Sequence, residues 1–421
     1  MPTGNVGIIL FQKSQKIKMD IIDKPHDFDL FGINPRWVTV HLTDSLGKRV
    51  TLVLSRWDGS EFVEVVTLNN FYGEEEELTF NISKLLELDY DLPSFSDIYS
   101  FDKSNAAWVI EKYKVELTEY SEDGENDSDE FEAYAIQGGR SILENRLSGF
   151  NNWLSDRSFL TMQPRTKTVT REQPEWLYYP VWDDTNADVL IHRLAVTMAF
   201  SDGTTQGVIV PPASSPGDYS FTAEKGELIY FTVGFTQMQL AEYEDDDKFI
   251  LSYKVKLNTY SIANSPDPQI GTLIYSSEEI EYLIDHQDRS WETRYFLFQN
   301  NLGGMDTICT RGKAEIKSKQ NRSSRTVTET RNLAYSRHPR RANQPSSVTE
   351  VKVNIGWLNR EEREWIEDLA LSKNVWEIKT GVRTSEFIPI IITSENLDIH
   401  QDDDSLQSSS FTYEYAEKQA R

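Results

Sequence analysis

The stretch Tyr113–Ser121 reads YKVELTEYS, and Tyr253–Ser261 reads YKVKLNTYS. Six of the nine positions are identical, 140 residues apart. In both, Tyr, Val and Leu alternate with charged or polar residues. That period of two marks a strand with one face buried and the other in water. A strand written twice in a chain of 421 residues, long enough for about two to four domains, points to a duplicated β-domain.

The neighbours of each copy recur in the same order. Arg36–Leu42, the turn Asp44–Gly47 and Arg49–Leu54 read as a hairpin, and His192–Met198, Ser201–Thr204 and Val208–Val210 as its counterpart. Further strands are expected as a pair at Phe62–Leu68 and Leu78–Ile82, and at Leu228–Val233, with a short amphipathic, helical stretch at Ile82–Leu88. Each repeated strand then opens a long hairpin. The first has the acidic tip Ser121–Glu130, the second the Pro-rich tip Asn264–Pro268. Two alternating sheets close by packing their apolar faces together. The expected fold class is therefore mainly β: two related β-sandwich-like domains plus a small α+β C-terminal domain. The expected divisions are an N-terminal arm (1–25), a first β-domain (26–148), a linker and second β-domain (149–300), and a final part (301–421). The Trp-, Pro- and Asn-rich run 149–179 is either that linker or the opening strands of the second copy.

The final part changes character. A strand at Val351–Ile355 precedes Asn359, a good N-cap with Glu362 at the capping-box spacing. Trp365, Ile366, Leu369 and Ala370 form one apolar helical face, so a helix over 359–372 should pack on the C-terminal sheet. Strands are expected at Val375–Ile378, Phe387–Ile392 and Phe411–Tyr415.

Net charge is −25, yet residues 311–341 hold ten basic residues against two acids, Glu315 and Glu329. The ten are Arg311, Lys313, Lys317, Lys319, Arg322, Arg325, Arg331, Arg337, Arg340 and Arg341. A basic segment in an acidic chain complements another copy of that chain or an acidic neighbour. It has one aromatic residue, Tyr335, where single-strand nucleic-acid binders supply several for stacking. These ten residues are therefore candidates for subunit contact. The segment is an exposed loop or a pair of long strands, and nucleic acid is not the expected partner.

Signatures of chemistry are missing. No phosphate-binding glycine loop, dinucleotide fingerprint or nucleophile elbow occurs. The six histidines are scattered, and Cys309 stands alone, so neither a metal nor a disulfide is expected. The acidic runs 122–130 and 244–247 do not follow the calcium-loop pattern and read as solvated tips. No catalytic residue, cofactor or metal is assigned, and the chain is not expected to be an enzyme. No apolar run approaches 18 residues, so no membrane span is expected. The N-terminus sets its lysines after a short apolar run, unlike a secretory signal, so synthesis in a reducing cytosol is expected.

The segment YFLFQNNLGGMDTICTRG (Tyr295–Gly312) resembles a motif of tail-module structural proteins of tailed bacteriophages and prophages. LTFNISKLLE (78–87), AYAIQGG (133–139), PEWLYY (174–179), NIGWLNREEREWIEDLALSKNVWEI (354–378) and PIIITSENLDIHQDDDSLQSSSFTYEYA (389–416) resemble further pieces of the same proteins, in the same order. The resemblance spans most of the chain. It implies a non-enzymatic virion component of a baseplate, tube end or neck, assembled in the host cytoplasm. Its partners would be further copies in a ring and other tail proteins. In the motif, Gly303 and Gly304 fit a tight turn, and Asp306 and Thr307 are expected to bond the turn backbone. The long basic segment departs from that pattern and reads as an arm toward a neighbour. The alternative is a carbohydrate-binding or adhesive surface module, suggested by the Trp- and Tyr-rich β-domains.

Overall fold

The structure is a computed structural model. It describes residues 19–32, 35–41, 49–71, 77–86, 103–105, 110–120, 126–139, 150, 159–181, 189–210, 221–224, 226–263, 269–287, 290–326, 340–380, 385–394, 407–416 and 419–420. The chain is mostly strand and forms two compact units, Met1–Leu88 with Glu111–Ala135, and Asp89–Ile110 with Ile136–Arg421. The expected second β-domain and C-terminal part therefore belong to one unit. Of the expected N-terminal arm, residues 1–18 lie outside the described residues, while β1 (Asp20–Asp23) is a strand.

The first unit holds two sheets. In one, β3 (Trp37–His41) lies between β1 and β6 (Glu77–Asn81). The other has the order β2 (Phe28–Gly32), β9 (Asn126–Gly138), β8 (Ile110–Tyr120), β4 (Arg49–Trp57), β5 (Phe62–Phe71). Val38, Val40, Leu78 and Phe80 from the first sheet meet Leu52, Leu54, Tyr113, Val115 and Leu117 from the second in one core. Two expected pairings are corrected. β3 and β4 are not a hairpin, and β5 does not pair with β6. In each case the two strands belong to different sheets. The apolar face of each strand is satisfied across the sandwich, so nearness in sequence does not decide the partner. Residues 83–85 form a turn, closed by Leu85 N donating to Ile82 O at 3.1 Å, where a short helix was expected.

Among the described residues the second unit has three sheets. A seven-stranded sheet runs β10 (Thr166–Val169), β18 (Ile280–Ile284), β16 (Ile250–Ala263), β12 (Val189–Phe200), β13 (Thr205–Val210). Two further strands complete it: β14 (Phe221–Glu224) on β12 and β17 (Gln269–Ser276) on β16. A small sheet joins β11 (Trp176–Pro180), β15 (Leu228–Thr232) and β7 (Lys103–Asn105). Residues 166–180 of the Trp- and Pro-rich run thus include the opening strands β10 and β11.

The repeated strand occupies equivalent places in the two units. β8 pairs with β4, setting Val115 opposite Leu54 and Leu117 opposite Leu52. β16 pairs with β12, setting Val255 opposite Val196 and Leu257 opposite Leu194. β4 turns back through β5, and β12 through β13. The order of partner strands around the repeat is the same, and the first Tyr, the Val and the Leu of each copy are buried: Tyr113, Val115 and Leu117, and Tyr253, Val255 and Leu257. The counterpart of β12 is therefore β4, not the Arg36 strand.

The third sheet forms the C-terminal part. Its order is β20 (Met305–Cys309), β19 (Tyr295–Gln299), β23 (Val375–Thr380), β24 (Ser385–Ile392), β25 (Gln407–Tyr415), β22 (Arg340–Leu358), β21 (Glu315–Thr326), with β26 (Gln419–Ala420) on β22. β20 and β21 lie at opposite edges of this order yet follow one another along the chain. Between them Gly312 N donates to Asn354 O at 3.0 Å. The sheet therefore curls until its two edges meet on a single run of chain. Its interior is filled by Phe296, Phe298, Val351, Val353, Phe411 and Tyr413. The helix α1 (Arg360–Leu371) adds Trp365, Ile366 and Leu369 to that core, as expected. Asn359 and Glu362 form the expected capping box, and Ser372 ends the helix.

Candidate assembly surface

The surface begins at a turn. Gly303 has φ of +88°, which a side chain would strain. A Cβ on Gly304 would collide with the carbonyl oxygen of Leu160. The bonds that hold this turn come from Asn300. Its Oδ1 accepts from the amides of Leu302 (3.0 Å) and Gly304 (3.1 Å), and its Nδ2 donates to Leu160 O at 2.9 Å. Asp306 and Thr307 lie beyond the turn, in β20, and Asp306 is aimed elsewhere than expected. Its carboxylate accepts from Thr161 Oγ1 at 2.6 Å and from Trp365 Nε1 at 2.9 Å.

Around Asp306 lies a buried polar hub. Lys167 donates to Glu175 Oε2 (2.8 Å), Gln163 Oε1 (3.1 Å) and the Thr307 carbonyl (2.7 Å). Three acceptors use all three ammonium protons. The ammonium also sits 4.8 Å from the Trp365 ring centroid, a cation–π contact. Gln173 Nε2 donates to Glu175 Oε1 at 2.6 Å. Desolvation pushes the Glu175 and Asp306 carboxyls above their ordinary ranges, against the pull of Lys167 on Glu175 and of the Thr161 hydroxyl on Asp306. Shifted carboxylates in a cleft are a usual sign of catalysis. Here, however, the carboxylate oxygens are engaged by protein donors. The gap beside them, between Lys167, Trp365, Arg311 and Glu362, leaves room for about one water. The hub instead joins β10, the segment before β11, β20 and α1. Among the described residues no group of three or more His, Cys, Asp or Glu is placed to hold a metal. Likewise, no helix among them is long and apolar enough to cross a membrane.

From the hub the chain runs outward. Arg311 donates from its guanidinium to Thr168 O at 3.0 Å and lies 3.7 Å from Glu362. These contacts tie its side chain to the fold and leave it only partly exposed. Lys313 is exposed and lies 5.9 Å from the Trp291 ring. The basic segment then forms the two strands β21 and β22, in register from Glu315 opposite Lys352 to Thr326 opposite Arg340. β21 is exposed on both faces from Glu315 to Gln320. Lys317 pairs with Glu315 at 3.6 Å and lies opposite Glu350 in the strand register, and Lys317 and Glu315 are both largely exposed. Lys319 bridges Glu350 and Glu414 on its own sheet. Arg322 and Arg325 lie on β21, Arg340 and Arg341 on β22. Arg331 and Arg337 fall outside the described residues. β25 pairs with β22 only from Glu350 onward, and β26 only at Ser346 and Ser347. The six residues before Ser346 therefore carry the hairpin roughly 20 Å beyond those partners.

Sequence reasoning missed the hub partners Lys167, Glu175 and Trp365, which lie far apart along the chain. It also missed a buried pair in the C-terminal sheet. There Arg294 NH1 donates to Glu377 Oε1 at 2.5 Å, and Tyr415 donates to the other oxygen at 2.7 Å. No local spacing announces such contacts.

No family model matches the chain, and no curated protein matches it. Among solved structures, one described as a protein of unknown function from Porphyromonas gingivalis W83 is 9% identical, over 63% of this chain and 99% of its own, with a TM-score of 0.15. A likeness at that score carries no argument about fold or function.

Proposed function

We propose that the chain is a non-enzymatic structural protein of a phage tail or tail-like particle, at the baseplate, tube end or neck. In this reading it assembles with further copies of itself around the tail axis in the host cytoplasm, docks onto other tail proteins, and ends in the virion. The observation that supports it is the β21–β22 hairpin. A basic arm in an acidic chain projects beyond its sheet, with one long edge open among the described residues. Such an arm offers main-chain hydrogen bonds and a charge opposite to that of the rest of the chain, the two things a neighbouring copy can use. The buried hub at its root supports a structural role, because its polar groups are spent on one another. Electron microscopy of the purified chain over a range of concentration and salt tests the proposal. Rings or stacked sleeves that come apart at high salt are expected. Monomers at every concentration and salt would overturn self-assembly.

A further inference from the structure

β5 is an edge strand of unusual kind. It is ten residues long, and among the described residues it pairs with β4 alone. Edge strands are usually shielded by Lys or Pro or by being short. β5 reads FVEVVTLNNF: it has no Lys or Pro and is long, and its interruptions are one acid, Glu64, and a bulge at Val65. Val63, Val65 and Phe71 are 47%, 44% and 68% exposed. Val66 and Leu68 are only half-buried at the rim of the first unit's core. A strand laid along this edge would extend the sheet and cover that rim.

We infer that the strand laid there is β21 of a second copy. Charge selects it. From Trp57 to Phe71 the chain holds Asp58, Glu61 and Glu64 and no Lys or Arg, and its sequence goes on to Glu74–Glu77. Two β5 edges side by side would set acid against acid in either direction. β21 is another long edge that is open among the described residues, twelve residues paired there with β22 only. It presents Lys317 and Lys319 on one face and Ile316, 62% exposed, on the other. Alternation lets one of the lysines lie opposite Glu64 while Ile316 meets Val63 on the other face, and Glu61, just before the strand, adds to the acidic end. The two edges are different surfaces of one chain, so the contact is head-to-tail and can repeat from copy to copy. This inference rests on the self-assembly proposed above.

The test uses the full chain. Its association is followed by sedimentation, and exchange of the amides in 62–71 and 315–326 is followed against concentration. Protection of both segments should grow together as copies associate. K317E should weaken association and lower the protection of 62–71. K317E/K319E should weaken association by about tenfold, the scale of a few exposed ion pairs reversed in sign. E61K/E64K in the K317E/K319E chain should restore both. K317E alone guards against a misfolded hairpin, since Lys319 also holds Glu350 and Glu414. Oligomers in which 62–71 exchanges as fast as in the monomer would overturn the strand pairing while leaving self-assembly intact. A chain that never associates would overturn both.

Discussion

Lys167→Met tests whether the buried hub holds the second unit together. The ammonium is almost fully buried and donates to Glu175, Gln163 and the Thr307 carbonyl. Met keeps the length of the side chain but leaves Glu175 as a buried carboxylate with no counter-ion. Removing one partner of such a pair costs about 3–5 kcal/mol. That is a large share of the roughly 5–15 kcal/mol that keeps a domain folded. Glu175→Gln in the same chain should recover at least half of the loss. The Gln carbonyl can still accept from Gln173, and its amide can donate to the acceptor on Gln163 that Lys167 abandons. Urea unfolding read by tryptophan fluorescence reports on the site, because Trp365 lies against Lys167. Amide exchange over 159–181 localises the effect. A loss below about 1 kcal/mol, or a double variant no more stable than the single one, would refute the view that Lys167 neutralises the hub.

Asp306 and Glu175 contribute to the pH dependence of stability. Burial raises both carboxyls above their ordinary values of 3.8 and 4.5, so the folded chain binds these protons more tightly than the unfolded one. Their contribution to stability is therefore greatest at low pH and is lost as pH rises through the raised folded values. Asp306→Asn should keep the fold, with its carbonyl accepting from Trp365 and its amide donating to Thr161, and should flatten that slope in acid titrations of unfolding. Gly304→Ala should destabilise the second unit more than Gly303→Ala. The first drives a methyl into the Leu160 carbonyl, while the second meets the cost of a positive φ, about 1–2 kcal/mol. Thermal melts of the two variants decide the order. Asn359→Ala removes the side chain that accepts from Glu362 N at 2.8 Å and should cost about 1 kcal/mol, with faster exchange in the first turn of α1.

What could be read from the sequence was local or periodic. The capping box of α1 is written in Asn359 and Glu362, and the buried face of β8 and β16 in every second residue. The likeness of β8 and β16 was legible because both keep the same letters in a strand buried in the middle of a sheet. Partner choice was not legible. β3 and β4 look like a hairpin because Asp44–Gly47 reads as a turn in the sequence, but each finds its sheet through apolar faces that meet across the sandwich. The hub was visible only as a motif around Asp306. Its role depends on Thr161, Lys167 and Trp365, brought in from far along the chain by the curled sheet. Of the basic residues, the count pointed to an arm, but charge alone could not separate Arg311, spent on Thr168 and Glu362, from Lys317, which faces solvent.

The arm and the hub lie on one run of chain, and that bears on how a neighbour could be bound. Asp306 and Thr307 sit in the hub, Arg311 is tied to Thr168, and Gly312 is bonded to Asn354, all before the first residue of β21. An open edge strand gains little from a partner if its direction must be fixed at the moment of binding, because the ordering cost comes out of the affinity. Here the root is fixed in advance by buried bonds, so β21 leaves the fold in a set direction along β22. In the proposed assembly the charges on the arm would select a partner, and the hub would set where that partner sits. Variants of the two should accordingly differ in kind. Changes at Lys317 alter the salt dependence of association, whereas changes at Asp306 or Gly304 alter its strength at every salt concentration.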